Sequence, residues 1–463
     1  MRPFRAPFVR TSLLAVLCSV YACNLDNLGD PPPRGDIYMP TALALSQQSA
    51  DSPPRYLYLV NSNFDLRYNG GSLQAFDLDK LDSAVAGCKI PGPDCTIATD
   101  DILTDEVLVP SLTTSLAISP DHSRLYVAAR TDATVLYVDL DETAERDNDV
   151  LKCDDTDRRC SASHTRGDDA TSNPERLRFP EEPVGMVSFP AAEIYAQPDS
   201  ELDAMSFLMV AHRPGYVSLF LDAPSDGPKS KYPLLIDVKS GLDQEPTGIA
   251  FDPVTRLAYL SVYARLSSSI GSKVLVRAGL APEADPESVF VYDAGLLSLD
   301  GLAKQRDTRD ITMNPTRPGQ ALVLSNQPSA LLFADVAATQ AGLAPPSSAP
   351  VRSLIDIGAG APSRIALGAL GSRSIAAVSC FDAQKVFIVD AARAELLTVI
   401  HNLNGPFELA IDSARKRLYV ADFRASVVRV LDLQYVADAG ASDRTDVPVI
   451  ATLGFPKVVM ELQ

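Results

Sequence analysis

The segment PFELAIDSARKRLYVADFRASVVRVLDLQ (residues 406–434) shows the order of elements that decides the fold. A proline opens a short apolar run, which is followed by a turn, a Leu-Tyr-Val run, a polar loop and a run that closes on Leu-Asp. Short β-branched and aromatic runs between turn residues are typical of antiparallel strands. The segment TTSLAISPDHSRLYVAARTDATVLYVDLD (residues 113–141) repeats this order, so the chain contains a repeated sheet unit.

The third strand of this unit recurs along the chain and ends in aspartate each time. The aspartates are Asp77, Asp139, Asp222, Asp293, Asp335, Asp390 and Asp432. Short strands repeated at this period predict a β-propeller, because packing sheets around an axis buries their apolar faces and closure limits exposed edges. We therefore predict an all-β fold over residues 37–463, a seven-bladed β-propeller of four-stranded antiparallel blades, with eight blades as the alternative. The aspartates are expected to accept backbone N–H groups in the turns that follow them.

The number of candidate innermost strands leaves the closure of the ring open. Eight segments qualify, and they start near Pro40, Thr113, Pro183, Pro246, Asp310, Pro362, Pro406 and Pro456. The segment from Pro456 to Gln463 is expected to close the ring by joining the first blade. In that case Asp36–Ser46 either shares the first blade or packs beside it.

The repeats resemble the YVTN-type β-propeller family and, more loosely, the lactonase-like seven-bladed propellers. RLYVAARTDATVLYVDL (124–140) and RLYVADFRASVVRVLDL (417–433) carry the likeness, which extends over residues 37–463. The resemblance implies an architecture and no particular activity.

Residues 1–22 predict a signal peptide. Three arginines precede the apolar run Thr11–Val20, which is too short to span a bilayer but suits a signal sequence. The next residues, Val20-Tyr21-Ala22-Cys23, resemble the lipobox of bacterial lipoproteins, although Tyr21 stands where a small residue is preferred. The resemblance implies diacylation of Cys23, and ordinary signal cleavage nearby is the alternative.

Residues 23–36 contain three consecutive prolines and predict a short, stiff tether between the lipid and the propeller. Asn24 after the cysteine fits, by analogy with enteric bacteria, the outer membrane. We therefore predict an outer-membrane-anchored lipoprotein of the bacterial cell envelope that faces the periplasm or the cell exterior.

The cysteine spacing agrees with an oxidising compartment. Cys88 and Cys95 bracket one six-residue polar loop, and Cys153 and Cys160 bracket another, which predicts two local disulfides. A four-cysteine metal site is the alternative, but its pairs ordinarily have C-x₂-C spacing. Cys380 remains as a free, buried or half-buried thiol.

Composition and motifs argue against several classes of function. The 463 residues include 41 Lys+Arg and 59 Asp+Glu, a net charge of −18, which disfavours a nucleic-acid partner. The sequence contains no G-x-S-x-G, H-E-x-x-H or P-loop motif. We therefore predict no catalytic residue and no cofactor, and favour a protein that is not an enzyme.

The loops between second and third strands are expected to surround one end of the central opening, called here the upper face. They mix carboxylates, guanidinium groups and amides, which suit a polar small molecule or an envelope protein. The predicted ligand-binding residues are Asn61, Asn63, Asp65, Arg130, His212, Arg213, Arg265, Asn326, Asp382, Asp422 and Arg424. The alternative role of any one of them is to pair with neighbours across adjacent blades.

The loop from Asn61 to Gly71 is the strongest local candidate, because it is long and dense in polar groups. Its final Asn69-Gly70-Gly71 is expected to allow positive φ. Asp65 with Asn61 or Asn63 could offer oxygens to Ca²⁺, although the spacing matches no EF-hand. Capping of the central channel is the alternative role of this loop.

These observations predict a lipid-anchored envelope β-propeller that acts as a non-enzymatic ligand-binding or protein-interaction scaffold. One alternative is a lactonase-like hydrolase at the upper pore, dependent on His212, Asp382 and Asp422. Another is a structural component of an envelope complex that uses the sides of the blades.

Overall fold

The computed structural model describes most of the chain. The described residues are 29–46, 52–130, 134–144, 149–153, 158–167, 180–194, 204–223, 227–230, 236–237, 244–264, 274–281, 290–300, 307–337, 348–358, 360–438 and 447–457. The predicted signal peptide, the predicted lipidation site Cys23 and the candidate Arg265 lie outside them.

The described residues form short antiparallel strands that pair mostly in chain order. The strands up to residue 237 are β1 (Pro40–Leu45), β2 (Tyr56–Asn61), β3 (Gly71–Asp77), β4 (Thr96–Ile97), β5 (Leu103–Val109), β6 (Thr113–Ile118), β7 (Arg124–Ala129), β8 (Thr134–Leu140), β9 (Leu151–Lys152), β10 (Thr165–Arg166), β11 (Pro183–Pro190), β12 (Ser206–His212), β13 (Tyr216–Ala223), β14 (Gly227–Ser230) and β15 (Ile236–Asp237).

The later strands continue the same pattern. They are β16 (Gln244–Asp252), β17 (Leu257–Ala264), β18 (Val274–Ala281), β19 (Phe290–Asp300), β20 (Thr308–Met313), β21 (Gln320–Asn326), β22 (Ser329–Asp335), β23 (Ser348–Asp356), β24 (Pro362–Leu370), β25 (Arg373–Cys380), β26 (Lys385–Asp390), β27 (Glu395–Ile400), β28 (Pro406–Asp412), β29 (Arg417–Asp422), β30 (Val427–Asp432) and β31 (Val449–Leu453).

The first strands of the repeat units meet in a closed circuit. Strands β1, β6, β11, β16, β20, β24 and β28 contact one another in this order, and β28 contacts β1. Each of them starts a sheet unit whose later strands pair outward, as in the orders β1-β2-β3-β5 and β24-β25-β26-β27. The arrangement is that of a β-propeller, so the predicted all-β propeller architecture is confirmed.

The described strands form six hydrogen-bonded sheets, whereas seven blades were predicted. The difference arises at one place, where β19 and β23 pair in parallel through Ser298–Asp300 and Ser348–Pro350. This pairing joins the units β16-β17-β18-β19 and β20-β21-β22-β23 edge to edge in one eight-stranded sheet.

The core lies between the faces of neighbouring sheets. The repeated tyrosine of the second strands is almost completely buried at Tyr58, Tyr126, Tyr259 and Tyr419. One apolar cluster combines side chains of β2 and β3 with side chains of β29 and β30, so the seam between the first and last units is packed like the rest. Burial of this apolar surface stabilises the closed ring.

The described residues show part of how the ring closes. The first sheet takes its innermost strand, β1, from the segment Asp36–Ser46, and β31 is an outer strand of the last unit. The short β4, from an insertion in the first unit, pairs in parallel with β31. Pro456 and Lys457 belong to no strand, and residues 458–463 lie outside the described part of the chain.

Two short α-helices interrupt the sheets in the described part of the chain. Helix α1 (Leu78–Ala86) follows β3, with Asp77 as its N-cap and with Leu78, Leu81 and Val85 buried. Helix α2 (Gln434–Asp438) follows β30. Among the described residues, neither helix nor any other is both long and apolar enough to cross a lipid bilayer.

Both predicted disulfides are present. Cys88 bonds to Cys95, and Cys153 bonds to Cys160, which indicates an oxidising, extracytoplasmic compartment. Cys380 is free and buried, and burial raises the pKa of its thiol to about 12.

The third-strand aspartates divide into two groups. The first group accepts backbone N–H groups two or three residues later, as predicted, and contains Asp77, Asp390 and Asp432. Asp390 and Asp432 pair with arginine side chains as well. Asp293 was expected to end a third strand, but it lies inside β19, the fourth strand of its unit, where it accepts from the backbone N–H of Gly295. The second group bonds to arginine side chains and contains Asp139, Asp222 and Asp335. In the second group the carboxylate ties neighbouring strands together rather than stabilising its turn.

Candidate functional site

A β-bulge at the upper end of each first strand directs one side chain toward the central channel. The pairing between each first strand and its second strand shifts register within the first few residues. Bulges re-aim side chains in this way. The residues concerned stand two positions after a Pro or Thr near the strand start and are called here the third residues, although β16 begins two residues earlier. They are Ala42, Ser115, Gly185, Gly248, Asp310, Arg364 and Glu408.

All of these third residues except Ala42 line one cavity, which we call the mouth cavity. Its volume is about 210 Å³, and it lies at the upper end of the channel between strands β6, β11, β16, β20, β24 and β28. Its charged lining residues are Asp310, Arg364 and Glu408, from three consecutive first strands. The opposite wall is built from small and apolar residues.

Glycine at position 248 makes room for this charged wall. A Cβ atom on Gly248 would lie 2.8 Å from Oδ1 of Asp310, closer than real Cβ atoms approach a neighbour. Gly185 is equally restricted, because its Cβ would lie 3.2 Å from Cα of Gly248. The two glycines therefore keep open the space that faces the carboxylates.

The three charged side chains interact with one another, but their positive and negative charges do not balance. Nε of Arg364 lies 3.4 Å from Oε2 of Glu408, and the backbone N–H of Ile365 donates to Oδ2 of Asp310 at 2.8 Å. Burial raises the pKa of Glu408 to about 7, an effect that Arg364 opposes, and burial also raises the pKa of Asp310. One guanidinium thus stands against two carboxylates that have lost much of their hydration.

An aromatic surface lies beside the mouth cavity on the upper face. It consists of Phe64, Phe381, Phe407 and Phe423, whose neighbouring ring centroids are 5.8 to 6.2 Å apart. The guanidinium carbon of Arg364 lies 4.9 Å from the ring centroid of Phe407, which connects the surface to the cavity. Phe64 is 42% exposed, so part of this surface is open to solvent.

The predicted residues Asp382 and Arg424 lie at the edge of the aromatic surface. They form an exposed ion pair of 3.1 Å, and Arg424 stacks on Phe381 with its guanidinium carbon 4.4 Å from the ring centroid. The structure brings these two candidates together with the mouth cavity.

Three other candidates hold the loop from Asn61 to Gly71 in place. Oδ1 of Asn61 accepts from the backbone of Tyr38, and Oδ1 of Asn63 accepts from the backbone of Tyr68. Asp65 pairs with Arg67 at 3.1 Å. Their oxygens are already bonded within the protein, and no group of three or more Asp, Glu, His or Cys in the described residues is placed to hold a metal ion.

The positive φ expected at the end of this loop occurs elsewhere in it. Asn63 and Leu66 have positive φ, whereas Asn69, Gly70 and Gly71 do not. Gly71 is needed for a different reason, because a Cβ there would lie 2.3 Å from the carbonyl oxygen of Asn61. The glycine permits close approach of β3 to β2.

Arg130 and Arg213 belong to an ion-pair chain on another part of the upper face. Arg130 bonds to Glu182 at 3.0 Å, and Arg213 bonds to Glu182 at 3.4 Å and to Glu245 at 2.8 Å. This chain links three successive sheet units across the β11 edge.

His212 and Asp422 are fully buried. Nε2 of His212 lies 2.7 Å from the hydroxyl of Ser218, and burial lowers the pKa of His212 to about 3. Asp422 accepts from the backbone of Asn404 and pairs with Arg429 at 3.2 Å, while burial raises its pKa. The remaining described candidate, Asn326, donates to Asp307.

Asp310, Arg364 and Glu408 were missed because candidates were sought only in loops. A usable signal exists in the sequence. Pro362-Ser-Arg364 and Pro406-Phe-Glu408 have a charged residue where Pro183-Val-Gly185 and Pro246-Thr-Gly248 have glycine. Aligning the starts of the first strands would have identified this position.

Comparisons with known proteins agree with the fold and leave the activity open. No protein-family model matches the chain, and no curated protein matches its sequence. The solved structure of Kuenenia stuttgartiensis hydrazine synthase matches with 13% identity, a TM-score of 0.50 and coverage of 86% of this chain and 96% of that chain.

Two further solved structures match with TM-scores below 0.5. A β-propeller domain from Myceliophteria thermophila has 10% identity, a TM-score of 0.48 and coverage of 85% and 96% of the two chains. A Bacteroides fragilis protein provisionally assigned as a 6-phosphogluconolactonase has 13% identity, a TM-score of 0.49 and coverage of 91% and 99%. At such identities a likeness concerns the fold alone, and the fold is the propeller that the circuit of first strands forms.

Proposed function

We propose that this protein is a lipid-anchored binding propeller of the cell envelope, which captures a ligand at the upper mouth of its central channel without chemical turnover. The mouth cavity carries the proposal. It places three charged side chains in a space with little hydration, next to a partly exposed aromatic surface. Concave sites with a few convergent polar groups are where propellers and other folds bind small molecules.

The proposed binding residues are those that the structure brings to this mouth. Arg364, Glu408 and Asp310 form the inner part, and Arg424 and Asp382 flank the aromatic surface outside it. As part of this proposal, the resemblance to YVTN-type and lactonase-like propellers is a relationship of architecture.

We also propose that the ring has seven blades, with the eight-stranded sheet counting as two. Seven first strands form the circuit, and each carries an upper bulge. An experimental structure that shows seven blade-to-blade interfaces around the axis supports the count, and a different number of interfaces contradicts it.

Ligand capture is tested by thermal-shift screening of the full-length protein against polar small molecules, because a ligand that binds the native state raises the melting temperature. We expect hits whose stabilisation disappears in Arg364→Ala when the ligand is an anion, and in Glu408→Gln when the ligand is a cation. The control is Arg317→Ala, at the turn between β20 and β21 on the opposite face, where the side chain bonds to a backbone carbonyl. Hits that stabilise both Arg364→Ala and Glu408→Gln as strongly as the wild type contradict the proposal.

The lipid anchor is tested separately by labelling cells with a radioactive fatty acid. We expect label on the wild-type protein and none on Cys23→Ser, which should also leave the membrane fraction. Equal labelling of the wild type and Cys23→Ser contradicts the lipid anchor. A wild-type protein without label also contradicts it, even if Cys23→Ser leaves the membrane fraction.

A further inference from the structure

The mouth cavity has an unequal distribution of charge. Among its lining residues, Asp310 and Glu408 are acidic and Arg364 is the single base. Arg364 is closer to Glu408, at 3.4 Å, and also stacks on Phe407. Asp310 forms no ion pair within 4.0 Å among the described residues, and a backbone N–H is one of its donors.

Space is kept open in front of these carboxylates. Gly185 and Gly248 form the facing wall, and a Cβ on Gly248 would contact Oδ1 of Asp310. Ser115 adds a small polar residue to the lining, and Leu116, Met186 and Ile249 add apolar area. The cavity of about 210 Å³ suits a few non-hydrogen atoms with one charged end.

We propose that the mouth cavity binds a small organic cation, a primary ammonium group on a short apolar chain. The ammonium would sit between Asp310 and Glu408, and its chain would lie along the glycine and aliphatic wall. This inference rests on the proposed function, and it specifies the class of ligand. A positive charge supplies the missing compensation for the second carboxylate, because desolvated carboxylates are stabilised by a nearby cation.

A divalent metal ion fits these residues less well. Arg364 stands among the possible ligands, and the described residues contain no group of three or more side chains suited to a metal. An ammonium group needs only two or three acceptors at hydrogen-bond distance, and the carboxylates of Asp310 and Glu408 supply acceptor oxygens to the lining.

The inference predicts a pH dependence. The charged groups that face Glu408 from the strands around the cavity are Arg364 and Asp310. Ammonium affinity should rise severalfold between pH 6 and pH 8, because Glu408 loses its proton in this interval and binding favours the ionised form.

The test compares three probes of similar size on the full-length protein by ligand-observed NMR, namely n-butylammonium, butyrate and n-butanol, and adds calcium chloride as a competitor of butylammonium. We expect butylammonium to bind in the millimolar range that small ligands reach, and butyrate and butanol to bind at least tenfold more weakly. Glu408→Gln and Asp310→Asn should each weaken butylammonium binding about tenfold. Glu395→Gln, which removes an exposed carboxylate on the outer strand β27 away from the cavity, should leave it unchanged.

Several results overturn the inference. They are equal binding of butyrate or butanol, displacement of butylammonium by millimolar calcium, absence of butylammonium binding, and unchanged affinity in both carboxamide variants. The broader proposal of ligand capture at the mouth cavity is not contradicted by any of these results if the thermal-shift screen gives hits whose stabilisation depends on Arg364. Failure of that screen together with failure of butylammonium removes both.

Discussion

Arg364 and Glu408 reach the channel because each stands two residues after a proline at the start of an innermost strand. This strand has a free edge on the channel side, and proline is tolerated there because it lacks an N–H that would need a partner. The bulge that follows turns the third side chain inward. A charged residue at that position is therefore directed to the channel by its backbone.

Glu408 predicts an unusual dependence of stability on pH. Its pKa in the folded protein, about 7, lies above its ordinary value of 4.5, so the native state holds the proton more tightly than the unfolded state. The resulting stabilisation is complete below pH 4.5 and is lost as the pH rises to 7. Relative to Glu408→Gln, the wild type should lose up to about 3 kcal/mol of unfolding free energy over this interval.

Urea denaturation of both proteins between pH 4 and pH 8 measures this difference. Parallel stability curves would show that the carboxyl group titrates normally in the folded state.

Replacing Gly71 is expected to lower the stability of the protein through a steric clash and not through a ligand contact. In Gly71→Ala the new methyl group would lie 2.3 Å from the Asn61 carbonyl oxygen, so β2 and β3 must separate locally. We expect a loss of about 1–3 kcal/mol in chemical denaturation. Gly92→Ala is the matched control, since its Cβ meets nothing within 4 Å and its stability should change by less than about 0.5 kcal/mol.

At the level of elements, strands could be predicted from the repeat, whereas contacts between repeats could not. Strands β28, β29 and β30 could be predicted from the segment 406–434 because short β-branched and aromatic runs bounded by turn residues are local signals. The parallel join of β19 to β23 uses backbone groups at two free edges, and no side-chain pattern encodes it. Helix α1 had a local signal that was missed, with Asp77 as N-cap before Leu78, Leu81 and Val85.

Arg415 connects the turn between β28 and β29 to helix α1, and its removal is expected to lower the stability of the protein. Its guanidinium bonds to Asp79 and Asp82 of the helix, to Pro54 and to the buried Asp412. Arg415→Ala should cost about 3 kcal/mol in chemical denaturation, because Asp412 would keep its burial and lose its cation. Arg67→Ala, which breaks an exposed pair, should cost less than about 1 kcal/mol, and similar losses in both variants would refute this role.

At the level of the whole molecule, the ring is closed by contacts between its two chain ends and by an insertion. The ion pair of Lys457 with Asp36 and the bond from the Met39 N–H to the Ser426 hydroxyl join the first and last units. Strand β4 crosses the same seam, and the Cys88–Cys95 disulfide precedes it directly. The sequence predicted closure by the segment from Pro456 to Gln463, of which the structure describes only Pro456 and Lys457, so that pairing stays a prediction for residues 458–463.

The two disulfides should differ in their effect on this seam. Replacing Cys88 and Cys95 by serine should increase hydrogen exchange at the amides of β31, because β4 loses the cross-link that holds it beside that strand. Replacing Cys153 and Cys160 by serine removes an equally spaced cross-link away from the seam and should leave β31 protected. Equal exchange at β31 in both double variants would contradict a closing role for Cys88–Cys95.

The chain approaches β1 across the upper face, where the amide of Asn69 bonds to the carbonyl of Asp30 and the Gly35 amide bonds to Glu106. From Cys23 to Gly29 an extended backbone reaches at most about 20 Å. An acyl chain at Cys23, as proposed, would hold the channel opening toward the bilayer surface instead of away from it. Whatever the propeller captures would then have to arrive through the thin aqueous layer above the lipid headgroups, and exposed Phe64 and Leu66 would be the first side chains to meet that boundary.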